Sequence, residues 1–137
     1  MRWGIKGKVV TPGEVIPGMV VVRESRIEGI FPHPGNEDLE VVYDFKDSFI
    51  FPGLVDLHLH GLQGEDVTEG GVKSIQKISA LLPSFGVTSF LPTTLTADLA
   101  TLFKIIEETK SEIMASREGA RVLGLHLEGP YLSLGRR

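Results

Sequence analysis

The sequence predicts an α/β protein in which a short β-rich segment precedes the first strands and helices of a (β/α)8, TIM-type barrel. Up to about Asp47, short apolar runs are separated by turns containing Pro and Gly; beyond Pro52-Gly53, strand-like runs alternate with apolar positions at helical spacing. Two of those later strands carry histidines and carboxylates on a single face. The chain is accordingly expected to divide into residues 1–52 and residues 53–137.

In the first segment the expected strands are Ile5 to Val10, Met19 to Arg23, Arg26 to Phe31 and Glu40 to Phe45. Thr11-Pro12-Gly13, Ile16-Pro17-Gly18 and Phe31-Pro32-His33-Pro34-Gly35-Asn36 separate them, because Pro removes a ladder donor and Gly supplies turn geometry. Glu24-Ser25-Arg26 is short enough for a hairpin connection, and the whole reads as a small antiparallel sheet. His33, between two prolines, is expected in solvent.

The second segment opens with a strand from Leu54 to Leu59. Val72, Ile75, Ile78, Leu82 and Phe85 then recur at helical spacing up to Gly86, which suits a C-terminal cap. Val87 to Leu95 is the next strand. Thr96 or Asp98 can cap a second helix whose apolar stripe is Leu99, Leu102, Phe103, Ile106 and Ile113, ending near Gly119. Arg121 to Glu128 completes a set of three strands and two helices.

That order admits either an open doubly wound sheet or the start of a barrel, and side-chain parity separates them. Val55, Leu57 and Leu59 oppose Asp56, His58 and His60 on the first strand; Leu123, Leu125 and Leu127 oppose Gly124, His126 and Glu128 on the third. An open sheet covered by helices on both sides needs two apolar faces, whereas a barrel strand turns one face to helices and the other to the lumen. Alternate strands share a lumen layer, and His60 and Glu128 fall at the C-terminal strand ends where barrel active sites lie.

Composition removes several function classes. Without cysteine there is neither disulfide nor thiolate ligand, so any metal must sit on imidazole, carboxylate or water. The 14 basic and 18 acidic residues are spread along the chain, leaving no basic stripe for a nucleic-acid backbone. No run reaches the ~20 apolar residues of a membrane span, and Met1 to Val10, interrupted by Gly4 and Gly7, is unlike a secretory signal. A soluble cytoplasmic protein, with neither nucleic acid nor membrane as partner, is the expectation.

His58 and His60 are the leading candidates for function, since strand alternation points both rings to one face roughly 6–7 Å apart, where they can hold a divalent metal. Glu128 brings a carboxylate to the same lumen. Asp56 lies deeper in the strand and is expected to orient a neighbour by hydrogen bonding. Gly61-Leu62-Gln63-Gly64-Glu65-Asp66 reads as a loop at the rim of the site, and Arg136 and Arg137 as solvated charges.

The stretch Phe51-Pro52-Gly53-Leu54-Val55-Asp56-Leu57-His58-Leu59-His60-Gly61 is similar to the first barrel strand of the amidohydrolase superfamily, which a small β-sandwich domain precedes. More narrowly, His126-Leu127-Glu128-Gly129-Pro130-Tyr131-Leu132 and Gly86-Val87-Thr88-Ser89-Phe90-Leu91-Pro92-Thr93-Thr94 resemble the N-acetylglucosamine-6-phosphate deacetylases. The likeness covers nearly all of the chain in the expected order. It implies that residues 1–52 are the N-terminal part of the sandwich and that residues 53–137 open a metal-dependent hydrolase barrel.

The implied reaction is hydrolysis of the N-acetyl amide of N-acetylglucosamine 6-phosphate to glucosamine 6-phosphate and acetate, in amino-sugar breakdown. Carried over by motif, Glu128 is the principal metal ligand, His58 and His60 complete a two-metal version of the site, and His126 supports it without ligating. One or two ions, Zn²⁺ or Fe²⁺, are implied, with a sugar phosphate as small-molecule partner and a homodimer for the full-length protein. In the family the acid that protonates the leaving amine is an aspartate on a late strand, which is expected to lie beyond Arg137.

A complete barrel takes ~250 residues, so the chain is expected to be an N-terminal portion, exposing an apolar edge that favours aggregation or a loose fold. Full activity from these residues alone is not expected. An inactive truncated remnant is one alternative. Another is a dihydroorotase-like cyclic amidase, which shares His58-Leu59-His60 but normally bridges its metals with a modified lysine; Glu128 favours the deacetylase.

Overall fold

The computed structural model describes residues 1–32, 38–115, 118–133 and 135, so that His33, Arg136 and Arg137 lie outside the described residues. It is a mixed α/β structure of two units, Met1–Pro52 and Gly53–Arg137.

In the first unit β1 (Arg2–Val10), β2 (Val15–Arg23), β3 (Arg26–Phe31) and β4 (Val41–Ile50) form a sheet in the order β3-β2-β1-β4. β1 pairs antiparallel with β2 and β2 with β3, the latter through a tight turn at Glu24-Ser25 that sets Arg23 opposite Arg26. β4, however, runs parallel to β1, which corrects the expectation of an all-antiparallel sheet. Hairpin reasoning pairs each strand with its sequence neighbour; the stretch after β3 is too long for a tight turn and returns the chain to the free edge of β1.

Pro17 and Gly18, expected as a turn, lie inside β2. β3 pairs with β2 only from Met19 onward, so no partner asks for the missing Pro17 donor. Gly18 passes so close to the Phe31 carbonyl that a Cβ would have no room. Val9, Val20 and Val22 make the unit's buried cluster, with Trp3 and Ile50 packed against it.

The second unit contains β5 (Leu54–Leu59), a miniature hairpin of β6 (Gly61–Leu62) and β7 (Glu65–Asp66), α1 (Val67–Leu81), β8 (Val87–Thr94), α2 (Leu99–Met114), β9 (Arg121–Val122) and β10 (His126–Leu127). β8 is central: β5 lies parallel on one side and β9 and β10 parallel on the other. Strand, helix and strand thus form parallel units, as the alternation requires. Val67, Ile75, Ile78, Leu82, Val87, Phe90, Ala120 and Val122 form the buried cluster that joins the helices to this sheet.

Asp66 caps α1 by accepting from the Thr68 and Glu69 backbone. The helix is broken at Gly71 (φ 57, ψ −141), so its regular part begins at Val72, where the apolar spacing begins. A short 3₁₀ turn over Leu82–Phe85 then ends on Gly86 in the left-handed conformation. Asp98 caps α2, which stops at Met114, well short of Gly119. Gly119 serves a close approach instead, lying over the Ser79 carbonyl, while Ala120 N–H donates to that carbonyl (2.8 Å) and Ser79 Oγ donates to Ala120 O (2.7 Å).

The buried face of α2 is Leu102, Ile105, Thr109 and Glu112, whereas Leu99 and Phe103 are exposed. The expected stripe is therefore rotated, since adjacent Ile105 and Ile106 are indistinguishable by hydrophobicity. Glu112 is accommodated by accepting from Gln76 Nε2 at 2.9 Å. Val55 and Leu57, expected against helices, are more than half exposed. Among the described residues no helix is long and apolar enough to cross a membrane.

The strand expected over Arg121 to Glu128 is interrupted between β9 and β10. From Phe90 to Thr93 of β8, this flank advances from Val122 to His126; from Phe90 to Pro92, the other flank advances from Asp56 to Leu59. Each flank thus carries one residue more than β8. Pro92, fully buried, has no N–H to offer on the β9–β10 side, where Phe90 O accepts from Leu123 N–H, so an unbroken ladder with that flank cannot form.

Candidate metal centre

The irregularity in β5 falls at Leu57 and His58, at the first of two histidines that share a strand face. Here the ring centroids lie 4.8 Å apart, and His58 Nε2 lies 3.0 Å from His60 Nε2. Glu128, just past β10, closes a triangle: its Oε2 is 2.9 Å from His58 Nε2 and 3.2 Å from His60 Nε2. The structure therefore brings together His58, His60 and Glu128, the three residues expected to ligate a metal.

Hydrogen bonding sets the character of this triangle. The Thr93 carbonyl, which can only accept, lies 3.2 Å from His60 Nδ1, so Nδ1 carries the proton and Nε2 presents a lone pair. That lone pair faces a carboxylate oxygen. Two acceptors at this distance repel unless a cation, or a second proton on the imidazole, stands between them. The triangle's edges approach the roughly 3.3 Å that separates ligand atoms around a tetrahedral ion with bonds of about 2.0 Å. The donor set and its spacing fit a divalent ion.

His58 and Glu128 remain partly exposed, at 51% and 38% for their side chains. An ion pair this open contributes little by itself, but the opening admits a ligand. Asp56 turns back on its own strand, where Oδ1 accepts the His58 backbone N–H at 3.0 Å. His126 donates from Nδ1 to the Leu57 carbonyl (3.2 Å) and sets its ring edge-on to His58, with centroids 4.7 Å apart. Both brace the β5 segment that carries the histidines, and neither is among the converging ligand atoms.

The loop expected at the rim is the β6–β7 hairpin, turning through Gln63 (φ 52) and Gly64 (φ 85), a pair of left-handed residues that closes a tight hairpin. Val67 N–H fastens it by donating to His60 O at 2.8 Å. Glu65 is committed to α1: hydrogen bonds from Lys77 Nζ (2.7 Å) and Ser74 Oγ (2.6 Å) hold its carboxyl below the usual range. Sequence reasoning missed Thr93, which touches both β5 and the ring of His60. Its signals were its position directly after Pro92 at a strand end and its place in the Gly86-to-Thr94 stretch that carries the resemblance.

No protein-family model matches the sequence. The chain is similar to N-acetylglucosamine-6-phosphate deacetylase of Bacillus subtilis (strain 168), 33% identical over 130 residues that cover 91% of this chain and 33% of the relative. It is also similar to the enzyme of that name from Danio rerio, at 32% identity over 98% of this chain and 30% of the relative. Among solved structures, N-acetylglucosamine-6-phosphate deacetylase from Pasteurella multocida superposes with a TM-score of 0.87 at 27% identity, covering 98% of this chain and 36% of that one. The chain spans about a third of the length of the curated relatives it matches.

Proposed function

The chain belongs to the N-acetylglucosamine-6-phosphate deacetylase family of the amidohydrolase superfamily, and from that membership we propose that it carries the metal-binding portion of an enzyme hydrolysing the N-acetyl amide of an N-acetylhexosamine 6-phosphate. The observation that carries this reading is the meeting of two imidazole nitrogens with one carboxylate oxygen at 2.9–3.2 Å. Met1–Pro52 is read as part of the small β-sandwich, and Gly53–Arg137 as the opening strands and helices of the (β/α)8 barrel.

His58, His60 and Glu128 would hold a divalent ion, Zn²⁺ or Fe²⁺ by the softness of the donors. When bound, such an ion lowers the pKa of a water toward ~7 and polarises an amide carbonyl. Glu128 supplies the negative charge that keeps a dication in the site. His60 is held in the ligating tautomer by the Thr93 carbonyl, with no rearrangement needed when the ion arrives. The exposed sides of His58 and Glu128 leave room for the acetamido group. The acid that protonates the leaving amine is assigned to an aspartate on a later strand of the family's barrel.

The test is acetate release from N-acetylglucosamine 6-phosphate by the metal-loaded protein beside Glu128→Gln, with bound metal quantified in both. Loss of bound metal in the variant is expected, and any acetate release that the wild type shows should fall with it. Unchanged metal stoichiometry in the variant would remove the proposed centre.

A further inference from the structure

Thr93 is fully buried, uncharged and outside the ligand triangle, yet it touches each strand that delivers a ligand. Its hydroxyl accepts the backbone N–H of Leu59, the residue between the two histidines, at 3.0 Å. The same hydroxyl donates to the Leu91 carbonyl at 3.2 Å. With Leu59 registered opposite Pro92, Leu91 O is the acceptor that a regular parallel rung would offer to Leu59 N–H. The hydroxyl thus lies alongside this rung as a splint where β5 carries its extra residue. The Thr93 carbonyl takes the His60 Nδ1 proton, and its backbone is the register partner of His126, two residues before Glu128.

We propose that Thr93 is the positioning residue of the metal centre: its hydroxyl fixes the β5 backbone at Leu59, directly after the irregular Leu57-His58 step, so that both Nε2 atoms converge with Glu128. The inference rests on reading His58, His60 and Glu128 as metal ligands. Same-face residues of a strand lie roughly 6–7 Å apart along the backbone, so the 3.0 Å approach of the two Nε2 atoms depends on how the backbone on either side of Leu59 aims the rings. Valine has the shape of threonine without the hydroxyl, so Thr93→Val keeps the packing and removes only the splint. Outer partners of metal-binding residues are worth about 10- to 100-fold in affinity.

The test measures Zn²⁺ affinity by chelator competition, and the visible absorption of the Co²⁺-loaded protein, for wild type, Thr93→Val, Thr93→Ser and Glu128→Gln. The expected result is a loss of about 10- to 100-fold in Thr93→Val, an altered Co²⁺ spectrum, and recovery of both in Thr93→Ser, which keeps the hydroxyl. A purely structural threonine would lower unfolding resistance but leave affinity and spectrum alone. Wild-type affinity in folded Thr93→Val overturns the role of Thr93, while loss in Glu128→Gln leaves the metal reading standing. Wild-type affinity in Glu128→Gln sinks that reading and this proposal together. Should Thr93→Val not fold, Thr93→Ser decides: wild-type affinity and spectrum support the splint, and their loss in a folded protein overturns it.

Discussion

Zn²⁺ should stabilise the Gly53–Arg137 unit against heat, because its ligands come from both flanks of β8 and do not converge in an unfolded chain. Binding to the native state alone contributes RT ln(1 + [L]/Kd), which is about 2.7 kcal/mol at 100 times the dissociation constant. For a unit of this size each kcal/mol moves the midpoint by roughly 4–8 °C. The expected rise is therefore about 10–20 °C. Both described helices, α1 and α2, lie in this unit, so the far-ultraviolet helix signal reports its melting. Glu128→Gln should lose most of the rise, and Mg²⁺, which prefers oxygen cages to imidazole, should not produce it. An equal rise in wild type and Glu128→Gln, or none in wild type at saturating Zn²⁺, would refute the reasoning.

Three other outcomes follow from the packing and charge of the two units. Phe90→Ala should cost about 3–5 kcal/mol in urea unfolding, because this ring is completely buried in the cluster joining β8 to the helices. Glu108 accepts the Val72 backbone N–H at 3.3 Å where α1 restarts after Gly71, so Glu108→Ala should cost about 0.5–1 kcal/mol, with Glu108→Gln retaining part of it. In the first unit, hydrogen bonds from Arg2 and Arg23 hold the Glu28 carboxyl down from its ordinary 4.5 to about 2. A carboxyl depressed on folding contributes stability that is present above its unfolded value and lost as pH falls through its folded one. The Glu28→Gln variant should thus narrow its stability gap to wild type between pH 4.5 and 2, as unfolding titrations would record.

Much of this arrangement is legible in the sequence because its signals are local. Asp98 and Gly86 cap where a short polar side chain and a left-handed glycine are required, and Ile75, Ile78 and Leu82 join the buried cluster at helical spacing. His58, His60 and Glu128 follow from strand parity combined with the resemblance. What escaped reading is non-local. The parallel pairing of β4 with β1 depends on where the chain goes after a long connection. The rotated face of α2 depends on which isoleucine meets its neighbours, and Leu102 and Ile105 are buried while Phe103 is not.

Parity also leaves one feature of the centre unread. Strict alternation puts His58 and His60 on one face, but it does not say how the two rings are aimed. The strand that aims them is irregular just before them. Pro92 cannot donate on the β9–β10 side, where Phe90 O accepts from Leu123 N–H, and both neighbours of β8 take up an extra residue at this level. A defect alone would leave β5 loosely held, since the register that specifies a strand is broken where the ligands sit. Thr93, the very next residue, restores order with a hydroxyl that both accepts and donates, and with a carbonyl that sets the tautomer of His60. Adjacent residues of β8 thus serve opposite flanks: proline withholds a rung from the side that delivers Glu128, and threonine holds the side that delivers the two imidazoles. On this account Pro92→Val should offer a rung to the β9–β10 flank, draw the segment that leads to Glu128 toward regular pairing and weaken Zn²⁺ binding while leaving the unit folded. Tighter or equal Zn²⁺ binding in that variant would show that the defect is incidental.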